Sequence, residues 1–461
     1  VIVKEVVKKI DWCDYQMMKI AVLGFEREGQ STLQFILRDP AFRGAEIWVL
    51  DKKEDIRVPK GVHAKLGKDY MSDLNGFDLI FRTPGVRYYA PEIQHARQQG
   101  AIISSATKLF FDRCPARIIG VTGTKGKGTT STLIYRMLKA GGRKAFLAGN
   151  IGVPPLDILP KLEKKSWVVL ELSSFQLIDL EKSPYIGVAL MVTEEHLDWH
   201  ADVKEYVAAK SNIVRFQSPA DYAVIAEDYP RTRSYARKTR GKIFTFSRHH
   251  PVKKGTWAQD DAFWFSDGVH KQKICSVSEL HIPGEHNWEN ASAAITAAKL
   301  AGIAKADIKK AIATFHGLEH RIEFVAKIKG VSYYNDSYST TPDAAAVAMQ
   351  AFAAPKILIL GGSHKNADFS KLGRAISRSK SIKAIIGIGV EWPRIKEHIH
   401  NPRIQIIEGR TTMKAIIAAA HKTAAPGDVV IISPGCASFG MFKNYTDRGK
   451  QFKAAVKALK E

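Results

Sequence analysis

Four cysteines are spread over 461 residues, at Cys13, Cys114, Cys275 and Cys436, and no two of them form a CxxC pair. That scarcity leaves neither a zinc cluster nor a disulfide framework to build on, and a reducing compartment, the cytoplasm, is expected. No apolar run approaches the roughly 20 residues that span a bilayer, and the N-terminus has no signal-peptide core, so membrane insertion is not expected. Internal repeats and low-complexity tracts are missing too. Acidic residues are the scarce sign, 46 against 69 basic ones, for a formal charge of +23. A balance of that size reads either as a nucleic-acid footprint or as a solvated surface that gathers anionic substrates. The basic residues are dispersed rather than gathered in one block with interleaved aromatics, which argues against a nucleic-acid partner. What is present, 45% hydrophobic and 25% charged residues, suits a globular protein long enough for roughly three domains.

The first hundred residues alternate strand signals (19–24, 46–50, 77–82) with a helix over 31–37, a small α/β unit. Its first turn, Gly24-Phe-Glu-Arg-Glu-Gly29, keeps two glycines of a dinucleotide fingerprint but has Glu26 where the middle one is expected. The chain opens on Val1, and Met17-Met18 stands directly before the first strand, so 1–17 reads as an extension or a mis-called start. A second α/β region runs to about Phe315, with buried-strand signals over 167–170 and 187–191. Residues 231–254 read as a basic, turn-rich stretch, followed by irregular sequence up to an alanine-rich helix over 290–300. A third region again alternates strands (356–360, 384–388, 428–432) with helices, the pattern of another doubly wound sheet.

The most telling segment is Gly120-Val-Thr-Gly-Thr-Lys-Gly-Lys-Gly-Thr-Thr-Ser131, between a strand and a helix. Gly123, Gly126 and Gly128, in a loop with Thr124, Thr129 and Thr130, let backbone N–H groups turn inward toward a phosphate at the helix N-terminus, and Lys127 adds a charge for the outer phosphates. A nucleoside triphosphate is expected. The loop departs from the usual pattern at Val121, where a glycine is expected, and at Gly128, where Ser or Thr usually meets magnesium; Thr129 or Thr130 is left for that role.

Other segments admit two readings each. Glu171, ending a buried run before Leu-Ser-Ser-Phe-Gln-Leu177, suits magnesium or is a solvated strand-end glutamate. Thr193-Glu-Glu-His-Leu-Asp-Trp-His200 matches no usual zinc spacing, and a single magnesium-linked histidine, His196, is the modest alternative. Lys210, within a helical run, reads by itself as a solvated residue. Asn287 and Asn290 share a helix face, fit to read a nucleobase or to cap. Segments beginning at Asn335, Gly361 and Ser433 all follow strands, at the sheet edge where open α/β folds bind ligands, or are turns.

In this joint order the segments resemble the Mur ligase superfamily of ATP-dependent amide-forming enzymes, over nearly the whole chain. Residues 171–177, Thr193-Glu-Glu-His-Leu-Asp198, Ser433-Pro-Gly-Cys-Ala-Ser-Phe439 and Phe442-Lys-Asn-Tyr-Thr-Asp-Arg-Gly449 are similar to its D-glutamate-adding branch. The resemblance implies an α/β fold of three domains: a Rossmann-like N-terminal one for a uridine nucleotide (1–106), a central P-loop ATPase with a parallel sheet (107–318), and a Rossmann-like C-terminal one for the amino acid (319–461). It implies ATP and Mg2+, a UDP-sugar peptide precursor and D-glutamate as substrates, and a monomer. By the same resemblance Lys127 meets the β and γ phosphates, Thr129, Glu171 and His196 hold magnesium, and Lys210 is carbamylated so that it bridges the metal. Asn150 lies near an acyl phosphate and Ser173 near substrate. Asn287 and Asn290 contact adenine, Arg321 follows His320 at a hinge and serves the nucleotide, and Asp336 contacts ribose. Lys365 and Ser438 grip the D-glutamate carboxylates, with Thr340 and Tyr445 lining that pocket, while Asp51, Thr83 and Gly85 belong to the uridine site. Tyr338 replaces a common lysine, Trp199 a common arginine, Glu26 a glycine and Gly128 a Ser or Thr. The Gly-Lys-Gly loop is also similar to folylpolyglutamate synthases, an alternative opposed by Lys365, Ser438 and the N-terminal domain. A basic binding protein that has kept the fold without turnover is the other, opposed by the Lys127, Glu171, His196 and Lys210 set.

Overall fold

The computed structural model describes residues 18–196, 199–364 and 367–460; residues 1–17, Leu197, Asp198, Lys365, Asn366 and Glu461 lie outside them. The backbone divides into two compact units, 18–277 with 288–312, and 278–287 with 313–460. Three sheets carry the architecture, the first two in the first unit.

The first sheet is all parallel: β1 (Lys19–Leu23), β2 (Glu46–Asp51), β3 (His63–Leu66), β4 (Leu79–Arg82) and β5 (Ile102–Ser104), in the order β3-β2-β1-β4-β5. Order reverses at β1, and Gly24, Asp51 and Thr83 all sit where β1, β2 and β4 end, at the switch point that favours ligands. The helix after β1 begins at Arg27, four residues earlier than expected, and ends at Arg38. β3 and β5 escaped the sequence reading because they are short and partly exposed.

The second sheet contains β6 (Arg117–Thr122), β7 (Ala145–Gly149), β8 (Trp167–Glu171), β9 (Ile186–Ala189), β10 (Tyr222–Ala226), β11 (Lys242–Ser247), β12 (Gly255–Gln259), β13 (Ala262–Ser266) and β14 (Lys271–Ser276), ordered β14-β13-β12-β11-β10-β9-β6-β8-β7. β6, β8 and β9 are almost wholly buried, which is why they read as continuous apolar runs. The turn-rich and irregular reading of 231–290 is corrected here: it holds β11 and an antiparallel three-strand extension, β12 to β14. Asp260 and Asp261, at φ 49° and 53°, form the two-residue hairpin between β12 and β13, the conformation for which Asn-Gly is the usual signal. β14, at the sheet edge, starts Lys-Gln-Lys, the charged kind of edge that discourages further pairing and masks a strand.

In the second unit, β15 (Glu323–Ile328), β16 (Val331–Asn335), β17 (Lys356–Gly361), β18 (Ile382–Ile388), β19 (Gln405–Ile407) and β20 (Val429–Ile432) order as β15-β16-β20-β17-β18-β19, antiparallel only at β15–β16. Alternate residues of β17 enter separate cores, Ile357 and Ile359 on one face, Leu358 and Leu360 on the other. Both faces are therefore covered, as a doubly wound sheet requires.

The first two sheets are tied by a fully buried ion pair: Arg82 Nη2 lies 3.0 Å from Asp179 Oδ1, both side chains 1% exposed. Arg82 also donates to the carbonyls of Val86 (2.8 Å) and Phe175 (2.9 Å). Arg82→Ala leaves a buried carboxylate unpaired, and an expected loss of about 3–5 kcal/mol should appear as a lowered denaturant midpoint.

Candidate active site

At the end of β6 the chain turns through Gly123 and Gly126, at φ 157° and 85°, into the helix Lys127–Ala140. Side-chain space is absent there: a Cβ on Gly126 would meet Asn290 Oδ1 at 2.2 Å, and one on Gly123 the Leu190 Cβ at 2.7 Å. Thr124 is pinned from three sides, its N–H donating to the Met191 carbonyl at 2.7 Å, its hydroxyl 2.9 Å from the Tyr206 phenol and accepting from Thr193 N–H at 3.0 Å. Lys127 Nζ donates to the Gly123 and Thr124 carbonyls, both at 3.0 Å. Gly128 and Thr130 are buried, and the Thr130 hydroxyl faces Asn290 Oδ1 at 3.4 Å; Thr129 is half-buried on the turn between them.

The neighbouring strands bring the other segments to the same edge. β8 pairs with β6 so that Glu171 lies opposite Val121, and β9 pairs on the other side with Ala189 opposite Thr122. Asn150, following β7, donates to Glu171 Oε1 at 3.0 Å, while its own N–H reaches the Glu171 carbonyl. Ser173 starts the short helix Ser174–Leu177 through a reciprocal capping box with Gln176. His196 is half exposed, in a left-handed conformation at φ 58° that non-glycine residues adopt at a cost.

Lys210 corrects the solvated-helix reading. It is 2% exposed on the helix Val203–Arg215, donates to the Gly123 carbonyl at 2.9 Å, and lies 4.8 Å from the Tyr206 ring centre. Burial drives its pKa well below the usual lysine range; Lys127 pushes the same way, with Glu195 and Glu171 opposing. The buried site thus disfavours the charged form of this amine. Tyr206 escaped the sequence reading although it stands four residues before Lys210, hence on the same helix face.

At the edge of the first sheet, Asp51 is buried and accepts from Phe25 N–H at 2.6 Å and Lys53 N–H at 2.8 Å, so it shapes the Gly24 turn. Glu26, in place of a glycine, pairs with Lys53 at 2.8 Å. Thr83 donates to the Leu23 carbonyl, and Gly85 faces open space, where a Cβ would meet nothing within 4 Å.

In the second unit Asn287 donates to the Pro283 carbonyl at 2.6 Å. The three C-terminal segments follow β16, β20 and β17, adjacent strands. Asp336 is 2% exposed and accepts from Ser433 Oγ (2.7 Å) and Ile322 N–H (3.1 Å), yet burial still raises its pKa to about 6. Arg448, fully buried, donates to the Ser337 hydroxyl and carbonyl, both at 2.9 Å, and to the Cys436 carbonyl. It binds two of the segments together, and sequence reading gave it no role because an arginine in a charged helix reads as solvated. Ser438 is buried, Thr340 half-buried, and Tyr445 sits edge-on to Tyr338 at 5.2 Å. The Arg321 guanidinium lies 4.3 Å over the Tyr338 ring, a contact a lysine at that position would replace with repulsion. Lys365 lies outside the described residues.

Two outcomes are expected. Gly126→Ala, with its left-handed φ and its clash at Asn290, should weaken ATP or ADP binding about tenfold or more, measured by calorimetry. Asp336 has a folded pKa above its unfolded one, so the folded state binds the extra proton and stability falls as pH rises from about 4 to about 6. Asp336→Asn keeps acceptor and donor capacity and should raise the melting temperature at pH 7.5 but not at pH 3.5.

Two family models match, the Mur ligase middle domain over residues 121–298 and the Mur ligase, glutamate ligase domain over 320–436. The chain is 40% identical over 456 residues to the UDP-N-acetylmuramoylalanine–D-glutamate ligase of Acetivibrio thermocellus, covering 96% of each. It is also 40% identical over 452 residues to the enzyme of the same name from Symbiobacterium thermophilum, covering 96% of this chain and 98% of the relative. In fold it is similar to the MurF ligase from Thermotoga maritima in complex with ADP, at 17% identity and a TM-score of 0.54, with 98% of both chains covered. Both family models fall on the segments that carry the glycine-tight loop and the C-terminal sheet, relatives match over almost the full length, and the chain belongs to the Mur ligase family.

Proposed function

We propose that this chain joins D-glutamate to the L-alanyl carboxylate of UDP-N-acetylmuramoyl-L-alanine at the expense of ATP, in the cytoplasm, as a step of peptidoglycan precursor synthesis. The observation that carries it is the convergence of Lys127 and the buried Lys210 on one phosphate loop, in a chain 40% identical to ligases of that name. The proposed domains are 1–106 for the uridine nucleotide, 107–318 for ATP and 319–461 for the amino acid.

The substrate carboxylate oxygen attacks the γ-phosphorus and ADP leaves; the D-glutamate amine then attacks the acyl carbon, and the C–O bond to phosphate breaks as the amine loses a proton. Charge builds on phosphoryl and acyl oxygens, so a fixed array of cations and N–H donors serves better than a covalent nucleophile. In this reading Lys127 and the loop N–H groups hold the β and γ phosphates, and Asn150 faces the acyl phosphate. Asn287, Asn290, Arg321 and Asp336 hold the adenosine; Asp51, Thr83, Gly85 and Ser173 hold the UDP-sugar substrate; Thr340, Lys365, Ser438 and Tyr445 hold D-glutamate.

The donor set fits a hard divalent cation. Glu171 offers a carboxylate one strand from the loop, Thr129 a hydroxyl on its helix, and His196 an imidazole on the other flank. Magnesium there would neutralise the phosphate oxygens. Burial and Lys127 both disfavour the ammonium form of Lys210; once deprotonated, its amine would add CO2 and release a proton to become a carbamate, whose negative charge Lys127 attracts.

Release of phosphate should require both UDP-N-acetylmuramoyl-L-alanine and D-glutamate; turnover with a reduced folate in place of the sugar nucleotide would instead support the folate-ligase alternative. Lys210→Ala should lose about 100-fold in kcat, partly restored by a short added carboxylate. A fully active Lys210→Ala variant would remove the carbamate from the account.

A further inference from the structure

His200 stands four residues after His196, at the end of the 193–200 segment. It is 1% exposed, and both its ring nitrogens are engaged: Nδ1 lies 2.7 Å from Glu205 Oε1 and Nε2 2.9 Å from Ser174 Oγ. Phe175 stacks on the ring at 5.6 Å, with Trp199 and Tyr206 edge-on at 4.7 and 5.3 Å. Its partners belong to different loops of the site. Ser174 follows Ser173 after β8, and Glu205 is in the first turn of the helix that carries Lys210. The backbone N–H groups of Trp199 and His200 both donate to the His196 carbonyl, at 3.1 and 2.9 Å. His200 thus closes the very turn that holds His196 in its left-handed conformation.

We propose that His200 is a positioning residue for the metal-binding edge of the site, an inference that rests on the magnesium reading above. Its imidazole donates from Nδ1 to the Glu205 carboxylate and accepts the Ser174 hydroxyl at Nε2. One buried ring therefore fixes the His196 turn, the loop after β8 and the start of the Lys210 helix against each other. Phenylalanine at this position would keep the aromatic packing and lose both hydrogen bonds. With the Glu205 carboxylate accepting from Nδ1 and the Ser174 hydroxyl donating to Nε2, the ring uses one donor and one acceptor, which a glutamine amide can reproduce.

The test compares wild type with His200→Phe, His200→Gln and Ser174→Ala. ADP binding is titrated by calorimetry over a range of Mg2+ concentrations, alongside steady-state kinetics. For His200→Phe, the Mg2+ concentration giving half-maximal ADP affinity should rise about tenfold, with KM for D-glutamate unchanged. His200→Gln should recover most of the loss, and the near-isosteric Ser174→Ala should show a smaller shift of the same sign, which keeps the test open if His200→Phe does not fold. A wild-type Mg2+ requirement in both His200→Phe and Ser174→Ala would overturn the proposal, as would an equal rise in KM for D-glutamate. If wild type itself shows no D-glutamate-dependent turnover, the parent reading fails, while the Mg2+ dependence of ADP binding still decides the role of His200.

Discussion

Two lysines share one carbonyl oxygen. Lys127 Nζ and Lys210 Nζ donate to Gly123 O at 3.0 and 2.9 Å, one from the helix that follows the loop, the other from the helix Val203–Arg215. Two like charges on one carbonyl oxygen oppose each other, and burial together with Lys127 pushes the Lys210 pKa well below the usual lysine range. The loop and both lysines are held in one small volume. Glycine at 123 and 126 is what permits the approach, since a side chain at either place would strike Leu190 or Asn290. The remainder of the central sheet is arranged so that β8, β7 and β9 end beside this point.

That arrangement depends on rigidity supplied from outside the loop. Arg82 and Asp179 lock the first sheet to the segment after β8, and Arg82 itself donates to the Phe175 carbonyl. Phe175 in turn stacks on His200, which holds the His196 turn. A chain of buried contacts thus runs from the switch point of the N-terminal sheet to the His196 turn. Each polar link satisfies a group that would be costly to leave bare. In the second unit Arg448 does comparable work with a hydroxyl and carbonyls, and burial lowers its pKa to about 10.

The parallel strands were legible because a strand buried on both faces is written as an unbroken apolar run, and 167–170, 187–191 and 428–432 all mark strands. The phosphate loop was legible because glycine spacing reports backbone conformation directly. What stayed hidden was encoded differently. The extension β12 to β14 turns on Asp260-Asp261 and ends in a lysine-rich edge, so each local signal pointed to loop. The burial of Lys210 was invisible because its own type argues for solvent; only the resemblance pointed the other way. Arg82, His200 and Arg448 act through contacts far apart in sequence, and neither spacing nor composition records those.

The central claim is that the loop and its two lysines activate a carboxylate as an acyl phosphate. Its most direct measurement uses UDP-N-acetylmuramoyl-L-alanine labelled with 18O in both carboxylate oxygens, with ATP and D-glutamate, and mass analysis of the inorganic phosphate released. Each released phosphate should carry one 18O, brought over when the C–O bond breaks; unlabelled phosphate formed alongside amide product would contradict acyl-phosphate activation.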